Sequence, residues 1–129
     1  MLALADANGP KIRLAPSVLA ARAALPELIG ELLQIDTWGE MDRRAGSEDL
    51  VGLGCHIFAL ACLFVGDAVW CVARVTENGR EITRADARRA QDQVGPFAGD
   101  EISAQFGMQN NVLLNYTSRA RLFEATTPY

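Results

Sequence analysis

LVGLGCHIFALACLFVGDAVWCVAR, residues Leu50 to Arg74, is the stretch around which we expect the chain to fold. Ser47 stands before it as a candidate N-cap, and Glu48 and Asp49 place negative charge at the positive end of a helix dipole. The sequence therefore predicts a central hydrophobic helix over about residues 48–74.

The C-terminal end of this helix is open to two interpretations. Gly66 could stop the helix early, because glycine weakens a helix interior. The segment from Val69 to Thr76 is β-prone, and Asn78-Gly79 is typical of a hairpin turn. We favour a helix through Arg74 with a turn after it, and a short β-hairpin near residues 70–83 stays as the alternative.

Two flanking segments carry apolar residues at helical spacing, one from Leu25 to Ile35 and one from Ile102 to Phe123. Between them, Thr83 and Asp86 resemble a capping box that opens a further helix to about Val94. Together these patterns predict an all-α fold, a small helical bundle of four to five helices around the central helix.

Length and composition indicate one ordinary globular domain. The chain has 129 residues, of which 50% are hydrophobic and 22% charged. We expect a flexible N-terminal arm over 1–15, a single helical domain over 16–124 and a frayed tail over 125–129. The net charge of −4 argues against nucleic acid as a partner. The N-terminus lacks the pattern of a secretory signal, so we expect a cytoplasmic protein.

On a helix, the small residues of the central segment align on one side. Such a stripe lets another helix backbone approach closely, so we predict it as an interaction surface. Its members are Gly52, Cys55, Ala59, Cys62 and Gly66.

A narrow polar edge beside this stripe is where any ligand chemistry would have to gather. Asp49, His56, Asp67 and Arg74 lie on it. His56 is the only histidine in the chain, which excludes zinc sites with two or three histidines. The three cysteines lack Cys-x-x-Cys spacing, and Gly52-Leu53-Gly54 lacks the third glycine of a dinucleotide-binding loop. We therefore predict no catalytic residues, no metal site and no cofactor.

The leading functional hypothesis is a non-enzymatic helical protein that works by association, through a protein partner or self-association. It would be a homo-oligomer or a small subunit of a larger complex, such as a viral, phage or bacterial structural assembly. The alternative is a small-ligand or metal-binding protein, or an enzyme, that uses His56 and Asp67. A second alternative is a single-span membrane-associated subunit with its span over residues 50–73, against which the polar groups inside that span argue.

Overall fold

The computed structural model describes residues 15–90 and 95–120. The expected arm, apart from Ala15, and the expected tail at 125–129 lie outside the described residues. Within them the chain has a mixed α/β fold in which a helix layer lies against one face of a β-sheet. The predicted all-α bundle of four to five helices is therefore wrong.

Two helices precede most of the strands. Helix α1 covers Pro16–Ile29 and helix α2 covers Gly46–Val65. The interior of α2 contains a π-helical turn at Leu50–Gly54, after which the α-helix continues over Cys55–Val65. Short 3₁₀ turns lie at Arg84–Asp86 and Gln109–Asn111.

Seven strands lie in the described residues. Their bounds are β1 Gln34–Trp38, β2 Ala68–Glu77, β3 Arg80–Glu81, β4 Arg88–Arg89, β5 Pro96–Phe97, β6 Glu101–Met108 and β7 Leu113–Arg119. The main sheet has five strands in the order β1-β7-β6-β2-β3, while β4 and β5 form a separate pair. Strand β1 runs parallel to β7, and the other neighbours in the sheet are antiparallel.

The predicted central helix over 48–74 ends nine residues early, at Val65. Gly66 follows with φ of 83°, a left-handed conformation that glycine adopts without the steric cost of a β-carbon. The β-branched residues after it then pair with β6 instead of extending the helix. Asn78 and Gly79 both have positive φ and join β2 to β3, at the position of the alternative hairpin.

The two flanking segments that we predicted as helices are also different. Of the apolar pattern from Ile102 to Phe123, the part up to Arg119 becomes β6 and β7, in which alternate residues such as Ile102 and Ala104 are buried. Residues 121–123 lie outside the described residues. In the first flanking segment, α1 ends at Ile29 and β1 begins at Gln34. The capping box at Thr83 is present, but it closes only a 3₁₀ turn.

The core lies between α2 and one face of the sheet. Phe58 stands at its centre, with its ring centroid 5.0 Å from that of Phe106 and 5.5 Å from that of Tyr116. Ala61 and Val65 of the same helix pack against the far end of the sheet. The buried residues of the sheet in these two clusters are Ile102, Ala104, Met108, Leu114 and Tyr116.

Helix α2 is long and apolar enough to cross a membrane by length and composition, a property that core helices share. The span that we considered over 50–73 does not form as one helix, because Ala68–Glu77 is a strand. The apolar helix is therefore limited to Gly46–Val65, and its residues Ala61 and Val65 pack against the sheet.

The core assignment makes a prediction about stability. Leu114 is 1% exposed in β7, whereas Leu28 is 75% exposed on α1. We expect Leu114→Ala to lower the free energy of unfolding by about 2–5 kcal/mol, because it leaves a cavity between helix and sheet. The matched control Leu28→Ala should change it by less than about 0.5 kcal/mol. Urea denaturation measures both, and equal losses would contradict the placement of the core.

Candidate functional site

A buried carboxylate lies at the start of helix α2. Asp49 is 1% exposed. Its Oδ2 accepts a hydrogen bond of 2.7 Å from the Ser118 hydroxyl on β7 and one of 3.0 Å from the backbone N–H of Glu40. Asp49 therefore connects the helix, the last strand and the segment that follows β1.

Two glycines let the backbone come close enough for these contacts. A β-carbon on Gly39 would stand 1.7 Å from Asp49 Oδ2, and one on Gly46 would stand 2.5 Å from the Ser118 carbonyl oxygen. Both distances are far below van der Waals contact, so these positions require glycine for space. The sequence alone gives no sign of this requirement.

Tyr116 lies beside this carboxylate and is fully buried. Burial, and secondarily the negative charge of Asp49, raise the pKa of the Tyr116 phenol well above its usual range. The phenol therefore stays neutral wherever the fold is intact.

Arg44 joins Asp49 to the surface. Its Nη2 lies 3.7 Å from Asp49 Oδ1 and 3.1 Å from Asp42 Oδ2, and it also forms an ion pair with Glu40. The hydrogen bond from Arg44 holds the pKa of Asp42 below its usual range, and the same bond raises the pKa of Arg44. The guanidinium is thus a fixed positive charge among three carboxylates.

His56 lies on the part of α2 that this guanidinium approaches. Arg44 Nη1 stands 3.9 Å from the position of a β-carbon on Gly52, and His56 follows Gly52 by four residues, which places both on one side of the helix. His56 is half-buried and comes just after the π-helical turn, a feature that is frequent at functional sites. We take the surface formed by Arg44, Gly52 and His56 as the candidate site.

The structure separates the predicted polar edge of His56, Asp67 and Arg74. Asp67 follows the end of α2, and its backbone carbonyl accepts a 3.0 Å hydrogen bond from the N–H of Gln109. Arg74 lies on β2, where its Nε donates a 2.9 Å bond to Glu81. Of the three predicted residues, His56 alone belongs to the candidate site, and a ligand role for the other two stays a prediction.

The predicted stripe of small residues runs along α2 beside its most buried positions. Gly52 and Cys55 lie at the π-helical turn, Ala59 and Cys62 are half-buried, and Gly66 ends the helix. Its role as an interaction surface stays a prediction.

Metal ligands do not cluster in the part of the chain that the structure describes. No group of three or more histidine, cysteine, aspartate or glutamate side chains there is arranged to hold a metal ion. No disulfide joins the three cysteines, which all lie in the described residues; Cys55 and Cys62 are half-buried and Cys71 is exposed.

Sequence reasoning missed Arg44. It placed Asp49 at the helix dipole and on the polar edge beside His56, but not as a buried contact with the sheet. The signal for Asp49 was the Glu48-Asp49 pair before an apolar run, which fits equally well with a solvated helix start. Arg44 lies in a segment of mixed charge that we read as a simple connection. Its contact with Asp49 depends on tertiary structure.

No family model matches this chain, and no curated protein sequence matches it. Its fold is similar to part of the crystal structure of an oxidoreductase from Thermotoga maritima, with 18% sequence identity and a TM-score of 0.52. The match covers 91% of this chain and 37% of the oxidoreductase chain. This α/β likeness to an enzyme contradicts our predictions of a non-enzymatic helical assembly protein and of no enzyme.

The close approach at Gly39 can be tested with a pair of glycine substitutions. Gly39→Ala should lower the free energy of unfolding by about 1–3 kcal/mol, because the new methyl group displaces the Asp49 carboxylate. In Gly52→Ala the methyl group meets its nearest neighbour at an ordinary 3.9 Å. That control should be neutral or more stable by up to about 1 kcal/mol. The contact is misplaced if chemical denaturation gives the two variants the same stability.

The raised pKa of Tyr116 predicts that the protein loses stability at alkaline pH. A phenol whose pKa is raised by folding keeps its proton in the native state, whereas the unfolded chain releases it above pH ~10. The free energy of unfolding should therefore be unaffected by this group below pH ~10 and should fall as pH rises above it. Tyr116→Phe should show a shallower fall over the same range in urea titrations. An identical slope in both proteins would contradict the buried, neutral phenol.

Proposed function

We propose that this chain provides the substrate-binding part of an oxidoreductase and that His56 transfers the proton in its reaction. The observation that carries the proposal is that Arg44 Nη1 comes within 3.9 Å of the β-carbon position at Gly52, one helical turn before His56. The likeness of the fold to part of an oxidoreductase supports the reaction class. The proposal replaces Asp67 and Arg74 by Arg44 as the charged partner of His56.

The chain spans 37% of the length of the oxidoreductase that it resembles. A dinucleotide carrier would need a glycine-rich turn between a strand and a helix. Gly52 and Gly54 instead lie inside the π-helical turn of α2, so these residues do not fit such a group. We therefore assign the electron carrier to another domain or protein and derive no step through it.

The residues of this chain would act on the oxygen of the substrate. When a carbon that bears a hydroxyl group is oxidised to a carbonyl, the hydroxyl proton must leave to a base. Imidazole is the side chain that exchanges protons most readily near neutral pH, so His56 takes this proton, or returns it in the reverse direction. The guanidinium N–H groups of Arg44 would donate a hydrogen bond to the same oxygen and hold it beside His56.

The carboxylates around Arg44 also shape the substrate class. Asp42, Glu40 and Asp49 together carry more negative charge than Arg44 balances. Such surroundings disfavour phosphates and other strong anions and accept hydrogen bonds from hydroxyl groups. A small hydroxylated compound suits the site best.

The imidazole of the single histidine gives a direct test. We would titrate the protein with short polyols and aldoses and follow the ring signals of His56 by NMR. At least one compound should shift these signals in a saturable way. The backbone amide signals around Gly52, which every variant keeps, should then show that His56→Gln weakens its binding about tenfold, a typical effect for one polar contact.

Arg74→Gln is the matched control, because Arg74 lies on β2, away from the candidate site, and is paired with Glu81. That variant should bind as the parent protein does. The proposal fails if no compound shifts the His56 signals at millimolar concentration. It also fails if His56→Gln binds as tightly as Arg74→Gln.

A further inference from the structure

The face of the sheet that points away from α2 carries a second, separate arrangement of side chains. We call it the open face. It consists of the outward residues of β1, β7, β6 and β2, which alternate with the core residues of the same strands. Both tryptophans of the chain lie on it, with Trp38 62% exposed and Trp70 48% exposed. Exposed tryptophans in a globular protein are uncommon enough to need an explanation.

A row of polar side chains crosses the open face from strand to strand. Asp36 on β1 accepts hydrogen bonds from Gln34, at 2.8 Å to each carboxylate oxygen, and from Asn115 on β7 at 2.7 Å. Asn115 in turn accepts a 3.0 Å bond from Gln105 on β6. We call these four residues the polar row. Its hydrogen bonds fix which end of each amide donates, so the row is organised before any ligand arrives.

The polar row still has hydrogen-bonding capacity toward solvent. A carboxylate has about four acceptor positions and an amide group has two donors and two acceptors, more than the bonds within the row use. The bonds from Asn115 and Gln34 hold the pKa of Asp36 below its usual range, so this acceptor stays ionised at neutral pH.

A shallow concavity of about 460 Å³ lies beside the polar row. The side chains that face it include Val72, Arg74, Ser103 and Thr117. The two tryptophans are not among the residues that line it and lie at opposite corners of the open face. Trp38 is the β1 neighbour of Thr117, and Trp70 precedes Val72 by two residues and packs over Gly107.

The charges on the open face cancel except for one. Arg74 pairs with Glu81 at 2.9 Å, and Arg119 pairs with Glu101 at 3.2 Å. Each of these two pairs is neutral, so Asp36 leaves one net negative charge on the open face. A phosphate group or a nucleic acid would meet no net positive charge here, so the surface fits a neutral ligand with many hydrogen-bonding groups.

We propose that the open face binds a neutral saccharide. The hydroxyl groups of an oligosaccharide match the donors and acceptors of the polar row, and the apolar C–H faces of two of its rings pack separately on Trp38 and on Trp70. An aromatic side chain supplies a large contact area at a small entropy cost, which suits it to such a platform. The proposal does not depend on the function assigned to His56, because α2 lies on the other side of the sheet.

Intrinsic fluorescence tests the proposal, because both tryptophans report on this one face. We would titrate the full chain with maltohexaose, cellohexaose, xylohexaose and mannohexaose. At least one of them should change the emission in a saturable way. Trp38→Ala and Gln105→Leu should each weaken binding about tenfold, as expected for a side chain at the centre of a contact. Binding to Gln105→Leu and to the parent protein can be compared by the same signal.

Leu28→Ala is the control, because Leu28 is exposed on α1 and off the sheet. It should bind as the parent protein does, and circular dichroism should show that every variant keeps its fold. The proposal is overturned if none of the four sugars changes the emission at millimolar concentration. It is also overturned if the emission shifts with protein concentration alone, since a second copy of the chain would then cover the open face.

Discussion

The contact between the Asp49 carboxylate and the Ser118 hydroxyl determines how the helix sits on the sheet. A buried carboxylate is stable only when hydrogen bonds and opposite charge replace its water. Ser118, the backbone N–H of Glu40 and the nearby Arg44 supply these. Because they come from two separate parts of the chain, β7 and the segment after β1, the start of α2 can occupy one position on the sheet.

The position of α2 determines which residues form the core and which surfaces stay exposed. Starting from Asp49, α2 lies over the sheet with Phe58, Ala61 and Val65 in the core, and it presents His56 on the side that Arg44 approaches. The sheet is then apolar on one face and polar on the other, as a single helix layer requires. The packing of α2 on one face of the sheet thus places the candidate site on that side and leaves the open face on the other.

The sequence allowed part of this fold to be predicted. The turn at Asn78-Gly79 and the capping box at Thr83 are local features with clear residue signals. The start of α2 was predicted to within two residues, but Ser47 is not its N-cap: the helix begins at Gly46 after Ala45, and the Ser47 hydroxyl instead donates to the carbonyl oxygen of Gly99. Strands β6 and β7 were missed because apolar residues from Ile102 to Phe123 recur at steps of three and four, which is typical of a helix. Some residues of the same stretch, such as Ile102, Ala104 and Phe106, also recur at steps of two, which is typical of a strand. Only pairing between β6, β7 and β2, which are distant in sequence, decides between the two periods.

The candidate site was predictable to a smaller extent. His56 was recognised as the residue around which polar chemistry could gather, but its expected neighbours Asp67 and Arg74 were placed by assuming a helix through Arg74. Once the helix ends at Val65, those two residues move to other elements. Arg44 takes their place through a contact that no local pattern encodes.

A double-mutant cycle between Asp49 and Ser118 tests the central contact most directly. Asp49→Asn, Ser118→Ala and the double variant would be compared by urea denaturation. If the hydrogen bond joins helix to sheet as described, the sum of the two single losses in free energy of unfolding should exceed the loss in the double variant by about 1 kcal/mol or more. If that sum instead equals the loss in the double variant to within about 0.5 kcal/mol, the account is contradicted, because additive losses mean that the two side chains do not interact.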